Sequence, residues 1–157
     1  PWAATLGGEP PPPATEGIVD AIRSLSEGHD VTLVEGAGGP LVPIDEIRDV
    51  IDIAVALDGP VLLVARDGLG VLSYTLTAHA AIAARGLRVA AVALTPAPTS
   101  DAPDVSIETN ARILEARLGL PVVHFGTGVD DDGALAERAR ASGLVEVLFP
   151  ASDDASR

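Results

Sequence analysis

The sequence predicts an α/β fold in which a parallel sheet carries helices on both faces. Short, continuous apolar runs such as 61–64 and 89–94 alternate along the chain with helix-length segments. Continuous apolar strands indicate burial on both sheet faces, and their alternation with helices requires right-handed crossovers between parallel strands. Aromatic residues are only 3% of the chain, so the core must consist of Ala, Val, Leu and Ile, which is typical of packed α/β layers.

The elements follow one another in a regular order. Residues 1–14 are rich in Gly and Pro, which predicts a linker of extended or coil conformation. Residues 15–150 are predicted to form the α/β domain, and residues 151–157 a disordered acidic tail. Thr15 is predicted as the N-cap of a helix that Gly28 ends. The predicted strands are 31–34, 61–64, 89–94 and 122–123, and the later helices cover about 47–57, 71–85, 106–118 and 134–141.

The charge and composition of the chain exclude several classes of function. A net charge of −13 argues against nucleic acid and anionic membrane surfaces as partners. No apolar run approaches the roughly 20 residues that a membrane-spanning helix requires, and no signal peptide opens the chain. Cysteine is absent, so we expect neither disulfides nor Cys-based metal sites, and we expect a cytoplasmic location.

Two further absences bear on mechanism. Methionine is absent, so Pro1 is not an unprocessed start, and we expect that residues before it have been lost. Lysine is absent as well, because all 10 basic residues are arginine. Any mechanism that needs a lysine on a phosphate or an amine is therefore incomplete within this chain.

Glu35 and the glycines after it form the first candidate site. In parallel sheets, ligands bind beyond the carboxyl ends of the strands, and Glu35 follows the predicted strand 31–34 directly. A carboxylate there can hold a hard cation, while the glycines at 36, 38 and 39 let backbone N–H groups approach a phosphate. The alternative interpretation is an ordinary strand-to-helix turn that needs glycine for its dihedral angles.

The turn Gly68-Leu69-Gly70 at the start of the helix from Val71 is the second candidate. Free N–H groups and the helix dipole attract anions such as a substrate carboxylate. A tight turn that needs glycine for packing explains the same residues. His29, His79 and His124 lack metal-ligand spacing and are interpreted as structural or solvated.

Three segments together resemble dethiobiotin synthetases. Residues 34–43, VEGAGGPLVP, are similar to the family's VEGAGG-x-x-V-P segment. Residues 68–77, GLGVLSYTLT, resemble its GLGTINHTLLT helix start, and residues 106–110, SIETN, resemble its S-x-ETN segment. The first four residues, PWAA, resemble its SPHxAA stretch. The segments occur in the family's order over nearly the whole chain, which identifies it as a partial, P-loop NTPase-like member.

The resemblance implies an activity and a set of site residues. These enzymes close a ureido ring on 7,8-diaminopelargonate with CO₂ and ATP, through a carbamate that takes the γ-phosphate. By this resemblance Glu35 is a Mg²⁺ ligand, and Glu35, Gly36, Ala37 and Gly38 line the nucleotide phosphates. The amides of Val71, Leu72 and Ser73 hold the substrate carboxylate, which in the family lies across a homodimer interface.

The chain also departs from the family pattern. The family's P-loop with its lysine, a second lysine and a Mg²⁺-binding Asp precede the region that this chain covers. The Asn-Asp pair that reads adenine in the family falls on Thr95-Pro96, of which Thr95 still offers a hydroxyl to the nucleotide. The GEIP segment falls near residues 124–127, HFGT, and the Asn-His pair at the substrate helix is Ser73-Tyr74.

Three hypotheses remain open at this point. The first is a fragment of an active synthetase, inactive by itself because the P-loop half is missing. The second is a non-catalytic, degenerate synthetase-like interaction domain, which Thr95-Pro96 and His124 favour. The third is another P-loop relative, such as a cobyrinate amidotransferase, which the GAGG string after Glu35 fits less well.

Overall fold

A computed structural model describes residues 1–96, 104–126, 128 and 131–149 of the chain. Seven helices and three strands lie in these ranges. In chain order they are α1 (Trp2–Leu6), α2 (Thr15–Ser26), α3 (Val50–Leu57), β1 (Val61–Asp67), α4 (Val71–Ala84), β2 (Val89–Pro96), α5 (Ile107–Leu118), β3 (Val122–His124), α6 (Asp132–Ala141) and α7 (Leu144–Leu148). None of these helices has the length and apolar character needed to span a membrane.

The three strands form one parallel sheet in the order β1-β2-β3. Leu63 pairs with Val92 of the central strand, and Val92 pairs with Val122 on the other side. The first six residues of β2 are all buried, as expected of a strand covered on both faces. The predicted α/β class with a parallel sheet is therefore confirmed.

The chain divides into two compact units. The first, called the sheet unit, consists of residues 61–79 and the described part of 89–157. Its core is an aliphatic cluster, and Leu72 and Leu76 of α4 pack against that cluster. As the composition predicts, the buried members of the cluster include no aromatic side chain. They are Ala65, Val71, Val92, Leu94, Leu114 and Val122.

The second unit, called the loop unit, consists of residues 1–60 and 80–88. Its α3 begins where the Asp49 amide donates to the Asp52 carboxylate at 2.7 Å. This contact satisfies an amide that has no partner within the helix. Asp58, in the left-handed region with φ of 53°, ends α3. The Asp45 carboxylate accepts the amides of Ile47 and Arg48 at 3.0 and 2.8 Å, so a turn occupies the first part of the predicted helix 47–57.

The predicted strand 31–34 is wrong: these residues are neither helix nor strand and all are exposed. A β-strand requires a neighbour with which to exchange backbone hydrogen bonds. Within the described residues, no segment pairs with 31–34. The apolar pattern of 31–34 is that of a strand, but the partner that would make it one is not among the described elements.

The amino-terminal segment also differs from its prediction. Trp2–Leu6 form a short helix where coil was expected, because the proline run begins only at Pro10 and leaves the earlier Ala residues free to be helical. Thr15 is the first residue of α2, and Ala14 takes the N-cap position. Instead of capping, the Thr15 hydroxyl accepts a hydrogen bond from Arg48 at 3.3 Å. The proposed acidic tail, 151–157, lies outside the described residues.

Candidate functional site

The loop from Glu35 to Gly38 is exposed and follows residues 31–34 directly. It is tied to the start of α3 through backbone hydrogen bonds a few residues further on. The Ile51 amide donates to the Pro40 carbonyl at 2.9 Å, and the Val50 amide donates to the Val42 carbonyl at 2.9 Å. The predicted phosphate loop therefore has a fixed anchor in the loop unit.

Two glycines of this loop approach neighbouring side chains too closely for any other residue. A Cβ on Gly36 would lie 2.6 Å from Val50 Cγ1, and one on Gly38 would lie 2.7 Å from Val42 Cγ2. Gly38 also has a φ of +84°, which side-chain-bearing residues rarely adopt. The glycines are thus required by packing and by backbone conformation, and they leave an exposed backbone that a phosphate can approach.

The carboxyl edge of the sheet brings together residues from β1, β3 and α5. Asp67 ends β1 and is buried, and its Oδ1 accepts a hydrogen bond from Asn110 Nδ2 at 2.8 Å. His124 ends β3, and its Nδ1 lies 3.6 Å from Asp67 Oδ2, while its side chain is 59% exposed. A buried carboxylate thus lies close to a solvent-facing imidazole at the edge where parallel sheets bind ligands.

The turn between β1 and α4 is held by residues just before α5. The Leu69 amide donates to Asp104 Oδ2 at 2.6 Å, and Asp104 Oδ1 accepts from the Ser106 hydroxyl at 2.6 Å. The Ser106 hydroxyl and amide, followed by the Leu69 amide, lower the pKa of Asp104. Asp104 therefore stays ionised and supplies an anion at the turn that precedes the predicted carboxylate site.

The three amides predicted to hold a carboxylate are not equivalent. The Val71 amide already donates to the Gly68 carbonyl at 3.1 Å, and Val71 is completely buried. This differs from the prediction of three free amides, because the Gly68-Leu69-Gly70 turn closes on itself before the helix begins. Within the described residues the amides of Leu72 and Ser73 have no backbone acceptor, and Ser73 is exposed.

Tyr74, one residue further along α4, donates a hydrogen bond from its hydroxyl to the Arg66 carbonyl. Burial raises the pKa of Tyr74, and the Asp67 carboxylate raises it further, while Arg66 acts in the opposite direction. The phenol therefore remains protonated at neutral pH and acts as a hydrogen-bond donor beside the carboxyl edge.

Comparison with known proteins identifies the family. A family model described as an AAA domain matches residues 14–126. A protein of Saccharopolyspora erythraea named ATP-dependent dethiobiotin synthetase is 39% identical over 137 residues, which cover 87% of this chain and 58% of the relative. A Caulobacter protein of the same name is 40% identical over 128 residues, or 80% of this chain and 54% of the relative. The chain belongs to the dethiobiotin synthetase family.

The chain spans about half the length of these synthetase relatives. A third relative of the same name, from an Anaeromyxobacter species, is 48% identical over 88 residues, which cover 56% of this chain and 40% of the relative. The resemblance carried by the three sequence segments is thereby confirmed at the level of the family. The individual site residues remain predictions.

The donor set around Glu35 fits only one kind of metal site. Within the described residues, no group of three or more His, Asp or Glu side chains could enclose an ion. Mg²⁺, however, keeps several waters and is commonly bound through one or two carboxylates together with substrate phosphates. A single exposed carboxylate beside a glycine loop fits a Mg²⁺ ion that arrives with a nucleotide, and it does not fit a resident structural metal.

The synthetase-like nucleotide contact at Thr95 is only partly available. The Thr95 hydroxyl lies 3.4 Å from the Ala65 carbonyl and donates to it, and the side chain is half-buried. Pro96, which ends β2, has no N–H to offer. The hydroxyl oxygen retains acceptor capacity, so the predicted contact with the nucleotide stays a prediction.

Sequence reasoning did not single out Asp67, Asn110 or the pairing of His124. A signal for two of them was present, because His124 directly follows the apolar run 122–123 and Asp67 lies three residues after the run 61–64, and the carboxyl ends of parallel strands share one sheet edge. Asn110 lay inside the SIETN segment, but nothing in the sequence told which side chain it would contact. Glu35 to Gly38 belong to the loop unit, while Leu72, Ser73 and Thr95 belong to the sheet unit.

Proposed function

We propose that this chain supplies part of an ATP-dependent dethiobiotin synthetase, which closes a ureido ring on 7,8-diaminopelargonate with CO₂ and ATP. In the proposed reaction one amine and CO₂ form a carbamate, and a carbamate oxygen takes the γ-phosphate of ATP. The neighbouring amine then attacks the carbamoyl carbon and phosphate leaves. The chain must therefore bind phosphate, metal and a carboxylate-bearing substrate.

The exposed VEGAGG loop is the observation that carries this proposal. It combines the sequence shared with synthetases, a carboxylate free of protein partners in the described residues, and glycines whose packing keeps the backbone open. We assign Glu35 to Mg²⁺, which neutralises charge on phosphoryl oxygens when it is bound. We assign the backbone of Glu35, Gly36, Ala37 and Gly38, with the Thr95 hydroxyl, to the nucleotide.

In the sheet unit, we assign the start of α4 to the carboxylate of the substrate 7,8-diaminopelargonate. Leu72 and Ser73 support this assignment because their amides have no backbone acceptor within the described residues. Val71 positions the site, because its hydrogen-bonded amide and its buried side chain fix the first turn of α4. The substrate contact proposed for Val71 is therefore indirect.

Homodimer formation in the cytoplasm is part of the same proposal and is implied by the resemblance. Along α4, Leu72 and Leu76 pack on the core of their own unit, whereas Ala80 and Ala83 are exposed. Only the second pair is thus open to another copy. Sedimentation of the wild-type chain and of Ala80→Arg tests this, and a chain that is monomeric at high micromolar concentration contradicts it.

A non-catalytic interaction domain is the second candidate function. Pro96 favours it, because a proline cannot donate a backbone hydrogen bond to a nucleotide base.

The absence of lysine in the sequence means that this chain by itself should neither hydrolyse ATP nor form dethiobiotin. Activity therefore depends on residues from a polypeptide beyond this sequence.

The decisive experiment supplies those residues. The chain is fused to the part of the Saccharopolyspora synthetase that it does not match, and dethiobiotin formation is measured against Mg²⁺ concentration. Glu35→Gln should lower Mg²⁺-dependent activity at least about tenfold, because the amide has no charge to hold the metal. Glu46→Gln, an exposed carboxylate in the same unit, should leave activity unchanged. A fully active Glu35→Gln protein reduces Glu35 to a turn residue, and an inactive parent fusion favours the interaction domain.

A further inference from the structure

The Arg48 side chain joins separate parts of the loop unit. Its Nη1 donates to the Pro13 carbonyl at 2.8 Å and to the Thr15 hydroxyl at 3.3 Å. Its Nε donates to Asp45 Oδ2 at 2.6 Å, and its Nη2 lies 2.6 Å from the same oxygen. The side chain is only 19% exposed. One guanidinium therefore ties the segment before α2 to the turn at Asp45.

The acceptor at Pro13 belongs to a stiff piece of chain. It ends the run of four prolines at 10–13, and each proline ring fixes its own φ at about −65°. Such a run is extended and semi-rigid, and here it is neither helix nor strand. A carbonyl on a stiff segment is a fixed acceptor, so the contact with Arg48 restrains the guanidinium and everything attached to it.

Arg48 also closes a short antiparallel segment through its backbone. Its carbonyl accepts the Ile44 amide at 2.7 Å, and further from the turn the Val50 amide donates to the Val42 carbonyl at 2.9 Å. We call residues 42–50 the clamp segment. Its two arms are joined by these bonds, and the Arg48 side chain fixes the turn between them.

The clamp segment carries both side chains against which the glycine loop lies. A Cβ on Gly36 would lie 2.6 Å from Val50 Cγ1, and one on Gly38 would lie 2.7 Å from Val42 Cγ2. The two valines are themselves joined by a backbone hydrogen bond. The place of the glycine loop is thus set by the two valines, and the place of the valines is set by the closure of the clamp segment at Arg48.

We propose that Arg48 is a positioning residue for the loop from Glu35 to Gly38, and that it acts through the clamp segment. This inference rests on the proposed function, which assigns that loop to Mg²⁺ and the nucleotide phosphates. A loop that is already held in place loses less conformational entropy when a ligand binds. Arg48 therefore strengthens nucleotide binding and takes no part in the chemical step.

The arrangement requires arginine and not merely a positive charge. Three guanidinium nitrogens reach partners in two directions, whereas the ammonium of lysine is a single nitrogen on a flexible stem. The Arg48 side chain, followed by the Ile47 amide, lowers the pKa of Asp45. The carboxylate is therefore ionised at neutral pH, and the ion pair is intact under the conditions of an activity assay.

Steady-state kinetics of the synthetase fusion tests the proposal. Arg48→Met keeps an unbranched stem and removes the guanidinium. It should raise the KM for ATP at saturating Mg²⁺ about tenfold or more and change kcat by less than about twofold. A variant that is only less stable has fewer active molecules, which lowers the apparent kcat and leaves the KM unchanged. A wild-type KM for ATP, or a loss confined to kcat, overturns the proposal.

Two further variants separate positioning from charge. Arg48→Lys keeps the charge and loses the fork, so it should raise the KM for ATP nearly as much as Arg48→Met does. Arg23→Met removes an arginine from α2 of the same unit, where the side chain is 66% exposed and lies 3.8 Å from its partner, and it should leave the KM unchanged. Wild-type behaviour of Arg48→Lys, or equal effects of Arg23→Met and Arg48→Met, contradicts the proposal.

Hydrogen exchange of the 157-residue chain gives a readout that does not depend on activity. In Arg48→Met the Val50 amide, which is bonded to the Val42 carbonyl, should exchange about tenfold faster, because the clamp segment opens more often. Arg23→Met should leave this rate unchanged, and an unchanged rate in Arg48→Met overturns the proposal.

Failure here is distinguishable from failure of the proposed function. An active fusion that depends on Glu35 but whose KM for ATP is unaffected by Arg48→Met keeps the synthetase proposal and discards this one. An inactive parent fusion removes the synthetase proposal, and faster exchange at Val50 in Arg48→Met would still support Arg48 as the residue that holds the loop.

Discussion

Asn110 Nδ2 donates a hydrogen bond to Asp67 Oδ1 at 2.8 Å, and both side chains are almost completely buried. The bond joins the first turn of α5 to the carboxyl end of β1. Asn110 Nδ2 also lies 3.3 Å from the Ser106 hydroxyl, which donates to Asp104, and Asp104 accepts the Leu69 amide. The start of α5 and the residues just before it thereby hold the turn that precedes α4.

The first prediction concerns this buried pair. Asn110→Ala should lower the free energy of unfolding by about 3 kcal/mol, because it leaves the buried Asp67 carboxylate without its amide donor. Glu108→Ala, on the exposed side of the same helix, should change it by less than about 0.5 kcal/mol. Chemical denaturation of the three proteins measures both values. Equal losses in the two variants would show that the contact with Asp67 does not set the effect.

The second prediction uses Tyr74, which is the one tyrosine in the sequence. Burial and then the Asp67 carboxylate raise its pKa, so the phenol should ionise above its usual value of about 10. Because the folded state favours the neutral phenol, the associated stability is complete at neutral pH and is lost as pH rises beyond that usual value.

Two variants separate these causes in a titration followed by phenolate absorbance. Asp67→Asn removes a negative charge and should lower the pKa of Tyr74, while burial keeps it above the usual value. Asp104→Asn removes a negative charge at another position. It should leave the pKa of Tyr74 unchanged, since Asp104 is not among the causes of the shift. Identical titration curves for wild type and Asp67→Asn would contradict the prediction.

The third prediction concerns Asp52 in the loop unit, which forms an ion pair and hydrogen bond with Arg85. The Arg85 side chain, followed by the Asp49 amide, lowers the pKa of Asp52. A depressed carboxyl pKa gives stability that is present above the usual value of about 3.9 and is lost as pH falls below it. Asp52→Asn should therefore destabilise the protein at neutral pH by about 0.5 to 1 kcal/mol.

The measurement is the thermal midpoint of Asp52→Asn and wild type across the acid range. The difference between them should shrink as pH falls through the range in which Asp52 takes up its proton. Asp20→Asn is the control, because the Asp20–Arg23 pair is 3.8 Å long and its side chains are 74% and 66% exposed. A difference that persists unchanged in acid would mean that the charge of Asp52 is not responsible.

Much of the sheet unit could be predicted from the sequence. The runs 61–64, 89–94 and 122–123 became strands because their partners lie within the same described residues, and continuous apolar stretches indicate such mutual burial. The start of α4 at Val71, just after the glycine turn 68–70, was also predicted correctly. The family was predicted from three short segments whose joint order is far more specific than each segment alone.

The failures have equally particular causes. Residues 31–34 have the same local pattern as the true strands, but pairing is a non-local property that the pattern does not contain. The Val71 amide was expected to be free, and only the closed turn in three dimensions shows that the Gly68 carbonyl occupies it. The contact between Asp67 and Asn110 spans 43 positions, and its partners are both polar residues that ordinarily lie at the surface.

The last prediction concerns the glycine loop. Gly36→Ala would place a methyl carbon 2.6 Å from Val50 Cγ1, so we expect a loss of about 1 to 3 kcal/mol in the free energy of unfolding. Gly39→Ala should be nearly neutral, because a Cβ at Gly39 meets nothing within 4 Å. Chemical denaturation measures both variants.

A double-mutant cycle shows whether Val50 is the cause of the loss at Gly36. Val50→Ala removes the atom that the added methyl group would strike, so Gly36→Ala should cost less in the Val50→Ala protein than it costs in the wild type. In the synthetase fusion, Gly36→Ala should also raise the nucleotide concentration needed for activity, and the double variant should reverse that effect. Strict additivity in the cycle, or a loss in Gly39→Ala as large as in Gly36→Ala, would mean that the loop is not held against α3 through Gly36.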